Sequence, residues 1–156
     1  MSSVTTVLGL VFWIVISMAA GLIGSLFMPG EWYASLAKPS WNPPSFVFGP
    51  VWTTLYVLMG IAAWLVWRKV GFSGAPVSLG LFVVQLMLNA LWSYLFFGLH
   101  RPDLAFVEIL ALWSVILVVA IGFWRVSTPA GALLLPYLAW VGFASALNLT
   151  LWRLNT

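Results

Sequence analysis

The chain has no cysteine and a single histidine, and among its 156 residues only three are acidic and six basic. Without cysteine there is no disulfide, no thiolate metal site and no thiol redox relay. His100 stands in a turn with no second nitrogen or carboxylate cluster at ligand spacing, so no metal or haem ligation is expected of it. Serines and threonines are present, but no base is placed to activate them, and hydrolase chemistry finds no support. Six scattered cations, for a net charge of +3, are too sparse for a nucleic-acid surface, and no nucleic-acid partner is expected.

What is abundant is apolar surface. Hydrophobic residues make up 63% and charged residues 6%, where soluble domains carry roughly half and a quarter. Such a chain belongs in lipid as an integral, multi-pass membrane protein. It reads as one domain, 1–156, with no soluble stretch long enough to bury a core of its own. Apolar runs at 6–28, 46–67, 77–99, 104–124 and 130–152 are each long enough to cross a hydrocarbon layer of ~30 Å at ~1.5 Å per residue. The fold class is therefore an all-α bundle of five transmembrane helices. The first run lacks a basic leader and is too long for a signal peptide, so it reads as a retained helix. Pro50 falls in the first turn or so of the second span, Asp103 is placed to cap the fourth, and Pro136 interrupts the fifth. Arg68, Lys69 and Arg125 fall on one side of the membrane and Lys38, Arg101 and Arg153 on the other. That balance gives no orientation by the positive-inside rule. No inverted repeat of the transporter kind is present.

The one long departure from apolar helix is the connection after the first span. Prolines at 29, 39, 43 and 44 interrupt residues 29–45, which hold Trp32, Tyr33, Lys38 and Trp41. Prolines this dense block helix propagation and fix φ, so an ordered, extended and turned loop is expected. Three helical stripes converge beneath it: Phe48, Trp52 and Tyr56 with Ala63 and Trp67; Gln85, Asn89, Trp92 and Phe96; Tyr137, Trp140, Ala144 and Asn148. Amides at bilayer depth are costly unless they face protein, so Gln85, Asn89 and Asn148 should point inward. Trp13, Trp64, Trp67, Trp113, Trp124 and Trp152 read as interfacial belts. Trp52 and Trp140 stand apart, because each has a polar or small neighbour on its stripe and leaves room for a flat ligand. Glu108 lies one turn inside the fourth span, where the helix dipole favours a carboxylate.

The runs WYASLAKPSWNPPSFVFGPVWTTLY from Trp32, NALWSYLFFG from Asn89 and LLLPYLAWVGFASALNLTLWRLN from Leu133 resemble the TspO/MBR family, the tryptophan-rich sensory proteins of bacteria and the mitochondrial translocator protein or peripheral benzodiazepine receptor. The resemblance covers essentially the whole chain. KPSWNPP at Lys38–Pro44 and PYLAW at Pro136–Trp140 are its most specific elements. It implies a five-helix bundle, commonly homodimeric, whose cavity beneath the first loop binds porphyrins, haem-pathway intermediates and benzodiazepine-site ligands, and in bacterial relatives a light- and oxygen-dependent breakdown of protoporphyrin IX. The bacterial relatives imply a bacterial membrane. The family's pocket residues match Tyr33 and Pro43 in the loop, Trp52 in the second span, Asn89 and Trp92 in the third, and Trp140 and Ala144 in the fifth. Where mammalian relatives carry a sterol motif, this chain has Leu149 in place of the motif's central tyrosine, which argues against sterol as the ligand.

A tetrapyrrole is flat and apolar with two propionates at one edge, so it suits aromatic faces below and a cation at the rim. Trp52 and Trp140 are expected to supply the faces and to act as the redox-active residues. Lys38, with Arg101 on the same side, is the expected partner for the propionates. Porphyrin would be ligand or substrate, with no resident cofactor required. The alternative is a transporter, or a modulator of transport, of porphyrins, lipids or sterols; it lacks support from repeats or from buried ion-coupling carboxylates.

Overall fold

The first span, helix α1 (Ser3–Gly24), begins where the Ser2 hydroxyl accepts the Thr5 amide at 3.1 Å. Its outward residues Val4, Leu8, Val15 and Leu22 are all more than half exposed. An unbroken apolar face of this kind belongs against lipid or another apolar helix. The structure, a computed structural model, describes residues 1–27 and 29–156; the end expected for this span at Met28 lies outside them.

Five helices among the described residues are long and apolar enough to cross a membrane. After α1 and a short α2 (Gly30–Ser35), the spans are α3 (Ser45–Gly74), α4 (Pro76–Ser93) continued by a π-helical turn at Tyr94–Gly98, α5 (Pro102–Val126), and α6 (Thr128–Leu133) joined end to end with α7 (Leu135–Leu154). α1 packs against α3 and α4, α4 and α7 flank α5, and α6 and α7 close back onto α3. The spans thus run round the bundle in the order first, second, fifth, fourth, third.

Small residues set the closest of these contacts. A Cβ on Gly60 of α3 would lie 2.6 Å from the Ile14 Cα of α1, and one on Gly21 of α1 would lie 2.5 Å from the Tyr56 ring. Ser17, on the same stripe as Gly21, is fully buried and donates back to the Trp13 carbonyl. The small face of α1 is thus used within the chain, against α3.

Several boundaries differ from the expected ones, each for a local reason. Residues 29–45 are not extended throughout. Gly30, at φ 56°, turns the chain into α2, and the prolines at 39, 43 and 44 act only after that helix has ended. α3 continues past Trp67 until Gly71, at φ 67°, breaks it in a conformation that glycine alone adopts cheaply. Asp103 does not cap α5. Arg101 occupies the cap position, Pro102 starts the helix, and Asp103 instead receives two bonds from Arg101 at 2.9 and 2.7 Å. The interruption at Pro136 is present as the break at Leu134, with Pro136 in the first turn of α7. Trp13 is no belt residue: it is 1% exposed, wedged between Phe12, Phe72 and Phe82. Trp64 and Trp113 tie helices together through bonds to the Thr6 and Leu138 carbonyls.

Candidate functional site

Beneath the first loop the helices do not close. α2 lies across the end of the bundle, its Trp32 ring stacked on His100 at 4.4 Å and edge-on to Phe96 at 5.6 Å. From the far end of α7, Asn155 clamps the loop with two bonds to the Ala37 backbone, each 2.9 Å. The π-helical turn adds a residue to the end of the third span and sends Phe96 and Phe97 towards Tyr33. The space so framed is a cavity of about 510 Å³, reached by α1, α3, α4, the π turn, α5 and α7.

Six of the eight anticipated ligand-site residues line it: Tyr33, Trp52, Asn89, Trp92, Trp140 and Ala144. Trp52 is backed on one side by Tyr56, with ring centroids 5.6 Å apart, and meets Tyr137 edge-on. On the neighbouring α7, Trp140 is held by Phe48 and Phe143. Its Nε1 is buried with no acceptor among the described residues. Trp92 stacks on Phe96 and donates to the Asn148 amide oxygen at 2.9 Å, while Asn148 in turn donates to the Pro102 carbonyl.

The inward placement of the three amides holds. Gln85, Asn89 and Asn148 are all buried and hydrogen-bonded. Beneath the cavity Asn89 and Gln85 join a chain that sequence stripes alone did not reveal. Tyr56 donates to the Asn89 oxygen, Asn89 donates to the Tyr137 hydroxyl at 2.8 Å, and Tyr137 donates to the Gln85 oxygen at 2.7 Å. Each polar group has a partner, so the chain fixes the floor where an unpaired group would cost about 1–3 kcal/mol. The signal for it was present in Tyr56 and Tyr137, which share their stripes with Trp52 and Trp140.

Lys38 and Pro43 stand behind the lining. The Lys38 ammonium donates to the Tyr33 and Leu36 carbonyls at 2.7 and 3.1 Å, and lies 4.7 Å from the Tyr33 ring centre. It fastens the open end of α2. Arg101 is occupied by Asp103, as described above. Glu108 is not at a helix end either: it shares an inward face with Ala105 and Leu112, is 8% exposed, and neither carboxyl oxygen has a hydrogen bond among the described residues. These placements give a prediction. Lys38→Ala should loosen α2 and lower the stability of the fold by about 1.5–3 kcal/mol, the scale of one charge-assisted bond. Thermal unfolding unchanged by the substitution would mean that the ammonium does not hold α2.

Among the described residues no cluster of three metal-ligating side chains is present, and no lining side chain is charged. Chemistry here rests on aromatic faces, hydroxyls and amides.

A sequence profile of the TspO/MBR family matches residues 13–153. The chain is 46% identical to a tryptophan-rich protein TspO of Chlorobaculum tepidum over 156 aligned residues, covering 96% of this chain and 97% of the relative. It is 44% identical to the translocator protein of Homo sapiens over 138 residues, covering 85% and 82%, and 39% identical to a tryptophan-rich sensory protein of Cereibacter sphaeroides over 137 residues, covering 88% and 85%. On this match, on five apolar spans and on an aromatic cavity beneath the first loop, the chain belongs to the TspO/MBR family of integral membrane proteins.

Proposed function

We propose that this protein binds tetrapyrroles, protoporphyrin IX foremost, in the cavity beneath its first loop, and that Trp52 and Trp140 promote the light- and oxygen-dependent breakdown of the bound ring. The observation that carries the reading is the placing of two indoles, Trp52 and Trp140, on the adjoining α3 and α7 walls of one uncharged cavity of about 510 Å³, within the roughly 300–1,000 Å³ usual for small-molecule sites. Flat apolar faces suit a macrocycle. The propionates have a place at the mouth. α3 begins there without a side-chain cap, at Ser45, so its first amides and dipole favour an anion. The photochemical step needs no acid or base: the excited ring takes an electron from an adjacent indole and passes it to dioxygen, the indole radical cation recovers an electron from the ring, and the ring cation so left combines with the superoxide, so that ring plus dioxygen gives an oxygenated, opened ring with the indole restored.

The test of binding is a titration in the dark. Protoporphyrin IX should quench the protein's tryptophan emission saturably at one ring per chain. Ala144→Trp, which fills the cavity between Trp140 and Asn148, should weaken that binding at least about tenfold, a 1.4 kcal/mol effect. Quenching that rises without saturation, or that Ala144→Trp leaves unchanged, would mean that porphyrin merely partitions around the protein.

A further inference from the structure

On the opposite face of the membrane from the cavity, the break between α6 and α7 leaves a notch against α5. Gly131 brings α6 so close to α5 that a Cβ there would lie 2.6 Å from the Trp124 Cβ, and Trp113 closes the far end by bonding the Leu138 carbonyl at 3.1 Å. Between these two contacts runs a groove of about 260 Å³ lined by Leu117, Ile121, Leu135 and Leu138, with Trp124 and Arg125 at its rim. Ile121, Trp124 and Leu135 are each nearly half exposed, so the groove opens to the surroundings of the bundle and not to its interior.

The charges at that rim are of one sign. Arg125 makes no ion pair or side-chain hydrogen bond among the described residues, and Lys69 reaches the same end of α5 by donating to the carbonyl of the next residue, Val126. The chain's three acids are all elsewhere: Glu31 and Asp103 on the loop side, Glu108 buried within α5. Neither this chain nor a second copy in the same orientation can therefore set a carboxylate against Arg125. The phosphates of a lipid leaflet can. An apolar slot that ends at unmatched cations beside an interfacial tryptophan has the form of an acyl chain joined to an anionic headgroup.

We infer that this groove is a specific site for an anionic phospholipid, one acyl chain lying along Leu117, Ile121, Leu135 and Leu138 and the headgroup phosphate held by Arg125 and Lys69. Native mass spectrometry of the purified protein, offered equal phosphatidylglycerol and phosphatidylcholine of the same chains, tests it. The parent should retain phosphatidylglycerol over phosphatidylcholine by roughly fivefold or more, the scale of one basic residue at a membrane surface. Arg125→Gln should bring that ratio close to one, and Ile121→Trp, which fills the slot, should remove both lipids. Arg153→Gln, an exposed cation on the other face, should change neither, and thermal unfolding followed by circular dichroism checks that each variant is folded. The inference is overturned by equal retention of the two lipids in the parent, by equal losses from Arg125→Gln and Arg153→Gln, or by displacement of phosphatidylglycerol with inorganic phosphate. It is also overturned if Ile121→Trp alters the oligomeric mass and leaves lipid retention intact, since the groove would then hold a second copy of the chain.

Discussion

Gly60→Val is expected to detach α1 from α3 and to cost roughly 3 kcal/mol or more, beyond the 1–3 kcal/mol usual for added methylenes in a packed core. The obstacle for the first added carbon is backbone, the Ile14 Cα at 2.6 Å, and backbone cannot swing aside as a side-chain tip can. α1 has to move as a body, which also disturbs Gly21 against the Tyr56 ring and with it the floor of the cavity. Gly80→Ala supplies the control, because a Cβ there meets nothing within 4 Å. Thermal unfolding in one detergent should show a large drop for Gly60→Val and almost none for Gly80→Ala. Both substitutions raise intrinsic helix propensity, so similar losses for both would mean that the close α1–α3 approach at Gly60 is not what sets the stability.

The second large effect is photochemical. Trp52→Phe and Trp140→Phe preserve much of the aromatic area that faces the cavity but replace an easily oxidised indole with a ring that is hard to oxidise. Each variant should bind protoporphyrin in the dark within a few-fold of the parent. Each should lose at least about tenfold in the light-driven fall of porphyrin absorbance, since every tenfold is only about 1.36 kcal/mol of barrier. Trp124→Phe, on the other membrane face, should bleach porphyrin at the parent's rate. If both cavity variants do so too, the tryptophans only pack, and what remains is a receptor or carrier.

The spans were legible because burial in lipid demands long apolar runs, and composition alone supplies that signal. Their ends were less so. Gly71 lies in the stretch between the second and third apolar runs, and the helix ends at its φ 67° break and not at Trp67. α2 was hidden because six residues among prolines carry no periodicity to read. Trp13 was read as interfacial from its residue type, whereas α1 begins at Ser3 and so places it about 15 Å into the layer at ~1.5 Å per residue. Tryptophan at that depth packs.

The site was legible where helical stripes crossed: Trp52, Asn89, Trp92, Trp140 and Ala144 all reach the cavity because each lies on the inward stripe of its own helix. Lys38 was assigned by charge and side of the membrane. Which partner a long flexible ammonium finds depends on the carbonyls that α2 leaves open, and α2 was not foreseen. The π-helical turn that brings Phe96 and Phe97 to Tyr33 also left no mark in the sequence, and the chain turns after it at His100, φ 55°, and not at a glycine.

The most direct measurement is a map of photo-oxidation over the eleven tryptophans after brief illumination of the protoporphyrin complex in air, read by peptide mass spectrometry. Reactive species made at a bound ring act at short range. Early oxidation is expected at Trp52 and Trp140, with Trp92 behind them, while Trp124, which is 46% exposed but lies on the far face of the membrane, stays intact. Oxidation that instead follows exposure, with Trp124 modified as early as Trp52, would contradict a porphyrin held in this cavity.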